Sequence, residues 1–464
     1  MSSRKVAIVP PEKFSDLTIY KPKTKAVGMP AITSSIKHIA DEMGMAKGFK
    51  LLSKMNQQHG FDCPGCAWPD PAKPSVLGEY CENGAKAIAE EATDKRITAD
   101  FFSKNSVEDL SEQTDYYIGK LGRLTEPMYL AKNSSHYQPI SWDDAFAKIG
   151  NKLNSLNSPD EAAFYTSGRT SNEAAYMYQL MVRQFGTNNL PDCSNMCHES
   201  SGAGLSATVG IGKGSVTLKD MHEAELIVVM GQNPGTNHPR MLSALEKCKK
   251  NGGTIVTINP LNEAGTNTFV DPQSPLAMLT GGTKLEDLFL QVKINGDVAL
   301  LKAAMILMLE AEEENPNSVF DHDFIKEHCT NYTNLRTHLK ASNYNEAVNN
   351  SGVSDEKVRE FAQLLIAKKK TIICWAMGIT QHKNGVENVQ EIVNVLLLKG
   401  SIGKPGAGTC PVRGHSNVQG DRTMGIWEKP KEPFLKKLDE RFNFIAPREH
   451  GYDVVEAIKA MDEE

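Results

Sequence analysis

Cys63-x-x-Cys66, with Cys81 further along, has the spacing of a metal site. Thiolates held close by a tight turn suit Zn²⁺ or an iron–sulfur cluster. A zinc ribbon needs a second C-x-x-C or a His pair, and neither follows, so spacing alone leaves both metals open. The bland reading is three free thiols in a loop, but three in so short a stretch favours a metal. Cys193 and Cys197 form a second group, and Cys197 is followed by His198. A histidine beside a cysteine can lower the thiol pKa or act as a base. Taken alone, a buried structural cysteine explains the pair equally well. Arg413 lies in the Gly-flanked run CPVRGHSNVQG. Its planar fork suits a carboxylate, to which it donates two parallel hydrogen bonds; the commonplace alternative is an exposed loop arginine. GQNPGTNHP begins at Gly231, and backbone N–H groups at such a helix start can hold phosphate. It lacks the full G-x-G-x-x-G spacing, so nicotinamide binding is not implied, and alone it reads as an ordinary βα turn.

The elements that must position these residues alternate along the chain. Residues 1–60 are Lys-rich, with a weak helical pattern around 32–55, and 61–84 is a turn-rich loop carrying three cysteines. A helix is expected over 84–95. A second begins after Ser141, a plausible N-cap with an acidic pair in the first turn. Short apolar strands are expected at Ala162–Tyr165, Glu225–Met230, Thr254–Ile258 and Thr371–Trp375, with helices over 172–185, after 239 and over 386–398. Strand–loop–helix repetition implies an α/β protein with a parallel sheet, and ligands in such sheets bind at the strand C-terminal ends. The acidic run Glu310–Glu314 reads as a helix end on a solvated face.

The bulk properties narrow the class. The chain has 464 residues, with 40% hydrophobic and 23% charged, the balance of a globular protein. Net charge is −6, which disfavours a nucleic-acid-coating protein. The local basic excess in residues 1–50 reads as a solvated N-terminal arm. The longest apolar runs, such as Leu226–Met230, fall far short of the ~20 residues that span a bilayer. The N-terminus shows no hydrophobic signal core, so a cytoplasmic location is expected. Nine cysteines, an odd number, point to packing, metal or redox chemistry rather than disulfides.

The order of the motifs is informative. SWDDAF at 141–146, SGRTSNEAAY at 167–176 and GTNNLPDCSNMCHESSGAGL at 186–205 come first. MGQNPGTNHP at 230–239, WAMGITQHKNGVENV at 375–389 and GKPGAGTCPVRGHSNVQGDRTMG at 403–425 follow. Together they resemble the molybdopterin oxidoreductases of the dimethyl-sulfoxide-reductase type, most closely the formate-dehydrogenase-alpha-like branch. The resemblance runs from about residue 60 to the C-terminus. It implies an N-terminal iron–sulfur-type domain (1–130) followed by Rossmann-like layers of the catalytic region (131–464). It also implies a molybdenum or tungsten centre held by two molybdopterin guanine dinucleotides. In the formate enzymes a selenocysteine or cysteine followed by histidine ligates the metal, and Cys197 and His198 stand there. The substrate-orienting arginine falls on Arg413. Pterin and guanine contacts map to Gly231, Asn233, Asn259, Gly296, Asp297, Met377, Gly378, Gln381, Gly414 and Gln419.

Three departures accompany the resemblance. The family's N-terminal [4Fe–4S] cluster uses C-x-x-C-x-x-x-C and a later cysteine. Here the third position is Asp70, giving Cys63, Cys66, Asp70 and Cys81 as the expected ligands, a harder and more labile set. The family's lysine two residues after the last cysteine is Asn83, with Lys86 one turn away. Family members also run well beyond this length and end in a further domain closing over the pterins. The chain is therefore expected to be truncated, to need a companion chain and to expose apolar surface. The function expected is two-electron oxidation of formate, or a related small anion, to an unknown electron acceptor. The alternatives are a molybdenum reductase of another small substrate and a non-catalytic fragment.

Overall fold

Five short runs become the strands of one sheet: β1 Leu226–Met230, β2 Thr254–Ile258, β3 Leu288–Leu290, β4 Thr371–Trp375 and β5 Gly408–Pro411. The computed structural model describes residues 21–75 and 78–463. Strand order is β3-β2-β1-β4-β5, and every neighbouring pair is parallel. Met230 sits opposite Ile258 on one side and Trp375 on the other, so three strand C-termini end flush. The order reverses between β1 and β4, which opens a crevice there.

Side chains alternate across this sheet, as the period of two requires. Leu226, Val228 and Met230 join the core on one face, against the helices Asp297–Glu314 and Gly385–Leu398. Ile227 and Val229 join the core on the other, against the helix Pro239–Lys250. Strands covered on both faces need no polar alternation, which is why LIVVM and IICW are continuous apolar runs. The α/β expectation with Rossmann-like order is thus met.

A separate small core holds the N-terminal helices Gly28–Met43, Met45–Leu52 and Glu82–Glu91 together through Ile39, Met43, Leu52, Ala85 and Ile88. The expected 32–55 helix is two, broken at Gly44, whose φ of 73° leaves the helical region. Residues 1–20 of the expected arm lie outside the described residues. Helix Trp142–Asn154 starts where expected, with Ser141 Oγ accepting from the Asp144 N–H at 3.0 Å.

Two expectations are corrected. Ala162–Tyr165 is extended but forms no strand: Phe164 N–H bonds to the Asn189 carbonyl, and one bridge joins Thr166 to Asp192. Strand pairing needs a second, longer partner, and the 189–192 segment supplies only isolated contacts. Glu312, within the acidic run, is buried rather than solvated. Its carboxylate accepts the N–H groups of Asn317, Val319 and Phe320 and faces His322 Nε2 at 2.8 Å. No helix among the described residues is long and apolar enough to cross a membrane.

Candidate active site

The crevice is built by backbone. Gly231 follows β1 and Gly378 lies just beyond β4, and Gly378 N–H donates to the Gly231 carbonyl at 3.0 Å. A Cβ on Gly378 would stand 2.6 Å from that carbonyl oxygen, so the two chains approach more closely than any side chain permits. A cavity of about 630 Å³ opens over this contact. It is lined by Gly231, Asn233, Met377, Gly378 and Gly414 and also by Cys63, Cys66 and Cys81. Five of the expected cofactor residues and all three N-terminal thiols therefore share one space.

The remaining expected contacts lie outside that lining. Asn259 follows β2 and donates to the Leu261 carbonyl at 3.2 Å. Gly296 and Asp297 begin the helix Asp297–Glu314, and burial raises the Asp297 carboxyl to about 6. Gln381 Nε2 donates to the Met196 carbonyl, tying the loop after β4 to the helix Cys193–Cys197. Gln419 lies in the helix Val418–Met424.

Cys197 ends that short helix, whose start is fixed by a capping box between Asp192 and Asn195. Arg422 grips Asp192 through Nε and Nη2, both at 2.9 Å, and reaches Glu199 at 2.8 Å. The Cys193 thiol donates to Cys197 and lowers the Cys197 pKa, and the nearby Arg413 charge adds to the effect. Cys193 itself is pushed up by that bond and by burial, although His415 Nδ1 lies 3.3 Å from its sulfur.

His198 is buried. Trp375 Nε1–H donates to Ser201 Oγ at 2.9 Å, and Ser201 Oγ lies 2.9 Å from His198 Nδ1. Since indole can only donate, the serine hydroxyl hydrogen is free for Nδ1, which leaves the ring hydrogen on Nε2. Burial first, then the charges of Arg413 and His238, lower this histidine to about 3, so the ring is neutral. Arg413 is 7% exposed and donates Nη2–H to the Gly212 carbonyl at 3.0 Å, while its buried Nε–H has no partner. The arrangement places a lowered thiol, a neutral imidazole and a buried cation together, which the sequence spacing of 197 and 413 does not reveal.

Sequence reasoning missed several supporting groups. His238 Nε2–H donates to the Arg413 carbonyl at 3.1 Å, and Gln232 Nε2–H donates to His238 Nδ1 at 3.2 Å. Both belong to the GQNPGTNHP run, of which only Gly231 and Asn233 were singled out above. Arg422 carries no spacing signal, since its partners Asp192 and Glu199 are distant in sequence, and neither does the bond from Trp375 to Ser201.

The residues present fit a pterin-type cofactor. A glycine cradle that a Cβ would fill shares its cavity with Gln232, whose buried Oε1 has no partner, and Arg413 Nε and His198 Nε2 are likewise buried without partners. Of the four expected cluster ligands, Asp70 is engaged elsewhere. Asp70 is paired with Arg240 at 2.9 Å, and Arg240 also reaches Glu79 at 3.4 Å. Asn83 donates to the Thr236 carbonyl, and Lys86 pairs with Glu82. Cys63 and Cys81 both lie against Gly84, and without a metal burial raises their thiols, Cys81 to about 11. Among the described residues, no group of three or more His, Cys, Asp or Glu is gathered closely enough to hold a metal ion.

Comparison with known proteins follows the same lines. The family model described as molybdopterin oxidoreductase matches residues 123–450. An uncharacterized oxidoreductase of Mycobacterium tuberculosis is 52% identical over 445 residues, covering 96% of this chain and 57% of that protein. The chain thus spans little more than half the length of such relatives. The alpha subunit of the F420-dependent formate dehydrogenase 1 of Methanococcus maripaludis is 31% identical over 310 residues, covering 67% of this chain and 42% of that subunit. Among solved structures, acetylene hydratase from Pelobacter acetylenicus superposes with a TM-score of 0.51 at 16% identity, covering 61% of this chain and 36% of that one. At that identity the likeness concerns fold.

Proposed function

The chain belongs to the molybdopterin oxidoreductase family, and on that premise we propose that it orients formate, or a close small carboxylate, at a molybdenum or tungsten centre held by two pterin guanine dinucleotides. The observation that carries this reading is Arg413: a buried guanidinium with a free Nε–H, beside Cys197 and His198. A buried cation without a carboxylate partner is costly unless an anion completes it. Formate offers two oxygens to the guanidinium, which fixes the direction of its C–H bond. In this reading the neutral His198, whose buried Nε2 has no partner, donates its Nε2–H to the bound group. Ser201 and Trp375 lock the ring. Cys197 is the metal ligand in this reading. Gly231, Asn233, Met377, Gly378 and Gly414 hold the pterins near the crevice, and Asn259, Gly296, Asp297, Gln381 and Gln419 hold their outer parts. The bound group supplies the two-electron redox change; the protein supplies position and electrostatics. The similarity to a formate dehydrogenase alpha subunit supports the substrate class.

The test is anaerobic purification with elemental analysis for Mo, W, Fe and Zn, followed by formate-dependent reduction of a viologen dye. Arg413→Lys keeps the charge but loses the fork, and should lower kcat/KM for formate by at least about 100-fold, the scale of a lost charged positioning contact, with metal content unchanged. Metal-loaded protein that ignores formate yet reduces or oxidises another small substrate would overturn the assignment.

A further inference from the structure

The loop that follows the helix Glu199–Val209 reads GIGKG over 210–214. Gly210 ends the helix with a φ of 79°. The other two glycines let the loop pass where a side chain would not fit. A Cβ on Gly212 would stand 3.0 Å from Gly202 Cα, in that helix, and one on Gly214 would stand 3.1 Å from the Thr409 carbonyl oxygen, in β5. Just beyond, Ser215 is tied to β5 twice. Its N–H donates to the Thr409 carbonyl at 2.9 Å, and its Oγ accepts from the Thr409 N–H at 3.0 Å. The helix starts directly after His198, and β5 ends two residues before Arg413. The loop is therefore held between the two elements that carry the site.

It brings two groups to Arg413. The Gly212 carbonyl accepts the Arg413 Nη2–H at 3.0 Å. The next residue is Lys213, half-buried and fixed by a tight turn in which its N–H donates to the Ile211 carbonyl at 2.9 Å. Among the described residues, the Lys213 ammonium has no carboxylate partner and no hydrogen bond. Burial first, and then the Arg413 charge, lower its pKa, so the two cations act on each other. Of the carboxylates near Arg413, Asp192 and Glu199 are already gripped by Arg422. Two like charges partly withdrawn from water are costly to hold together unless an anion joins them. A single carboxylate on the Arg413 fork leaves Lys213 uncompensated. An anion with a second charged oxygen group satisfies both.

We infer that Lys213 is a second cation of the substrate site and sets its specificity, so that the site selects a small dianion of the dicarboxylate class over formate. This rests on the reading of Arg413 as the group that holds the substrate carboxylate, and it adds the second charge of that substrate.

The experiment is isothermal titration calorimetry of the full, anaerobically purified chain with sodium formate and with sodium oxalate, at low ionic strength so that screening is weak. Oxalate should bind at least about tenfold more tightly than formate, the scale of one added charge-assisted hydrogen bond. Lys213→Met keeps the apolar stem and removes the charge. It should weaken oxalate at least about tenfold and formate less than about threefold, and Lys213→Arg should restore the preference. Because the ammonium holds no bond within the chain, Lys213→Met should not lower the urea midpoint. Equal affinity for the two anions, an equal loss of both on Lys213→Met, or a lowered midpoint overturns the inference and leaves the formate reading standing. Oxalate binding that depends on Lys213, in metal-loaded protein that does not reduce dye with formate, upholds the inference and removes formate as the substrate. Binding of neither anion, or binding of both that is indifferent to Arg413→Lys, overturns the two together.

Discussion

Gly378→Ala tests the crevice itself, because the added atom meets backbone that cannot move aside. Its Cβ would lie 2.6 Å from the Gly231 carbonyl oxygen, 2.7 Å from Gly231 Cα and 2.9 Å from its carbonyl carbon. Restoring ordinary contact requires the two backbones to part by roughly 0.6–0.9 Å. The 3.0 Å bond from Gly378 N–H to that same oxygen then stretches out of range. Overpacking of this kind costs about 1–3 kcal/mol and the lost bond about 1 kcal/mol, so roughly 2–4 kcal/mol in all. The assay is urea unfolding followed by tryptophan fluorescence, for which the fully buried Trp375, three residues away, is a local reporter. The control is Gly150→Ala, in the helix Trp142–Asn154, where a Cβ meets nothing within 4 Å. That change removes a helix-interior glycine and should stabilise by about 0.5–1 kcal/mol. Cofactor retention should fall with Gly378→Ala and not with the control. A Gly378→Ala chain whose stability stays within about 0.5 kcal/mol of the wild type would show that the two strand ends are not held in this contact.

Other predictions rest on single groups. Burial would raise Glu312, but the N–H groups of Phe320, Val319 and Asn317 together with His322 outweigh it and lower the carboxyl to about 2. Its stabilisation is therefore present above the unfolded pKa and lost as pH falls toward 2. Glu312→Gln should cost roughly 1–3 kcal/mol at pH 7 and much less at pH 2.5, measured by urea titration. Asp421 goes the other way: burial, then the nearby Asp192 charge, raises it to about 7. Its contribution is full below the unfolded pKa and fades as pH rises to 7, so Asp421→Asn should gain stability relative to wild type between pH 4 and 8. A flat difference over that range refutes the assignment. Because Asp70 is held by Arg240, Asp70→Asn should leave the iron-to-protein ratio of anaerobically purified chain unchanged. A fall in iron on that change alone would identify Asp70 as a ligand.

Local pattern was enough for the parallel sheet. LIVVM, TIVTI and TIICW carry only apolar residues and threonines, and a strand covered on both faces needs little else to declare itself. The helix starting at Ser141 was equally legible, because a cap, an acidic first turn and an amphipathic period lie within a few residues of one another. Ala162–Tyr165 has the composition of a strand, yet strand formation depends on a partner elsewhere, and composition cannot supply one. Glu312 was misread for a related reason: its charge run looks solvated in sequence, while the loop at 317–320 folds back to satisfy it.

The site divides in the same way. Sequence by itself determined the chemistry available: a Cys–His pair, a Gly-flanked arginine, three clustered thiols and glycines after the strands. Tertiary structure decided which of these meet. It brought Arg413 near Cys197, kept His198 neutral by burial while Ser201 and Trp375 fix its ring, and supported Arg413 through His238 and Gln232. It also turned Asp70 away to Arg240. Residue type and short spacing report covalent neighbours, whereas burial, charge and hydrogen bonding act through space, between positions as distant as 198 and 413.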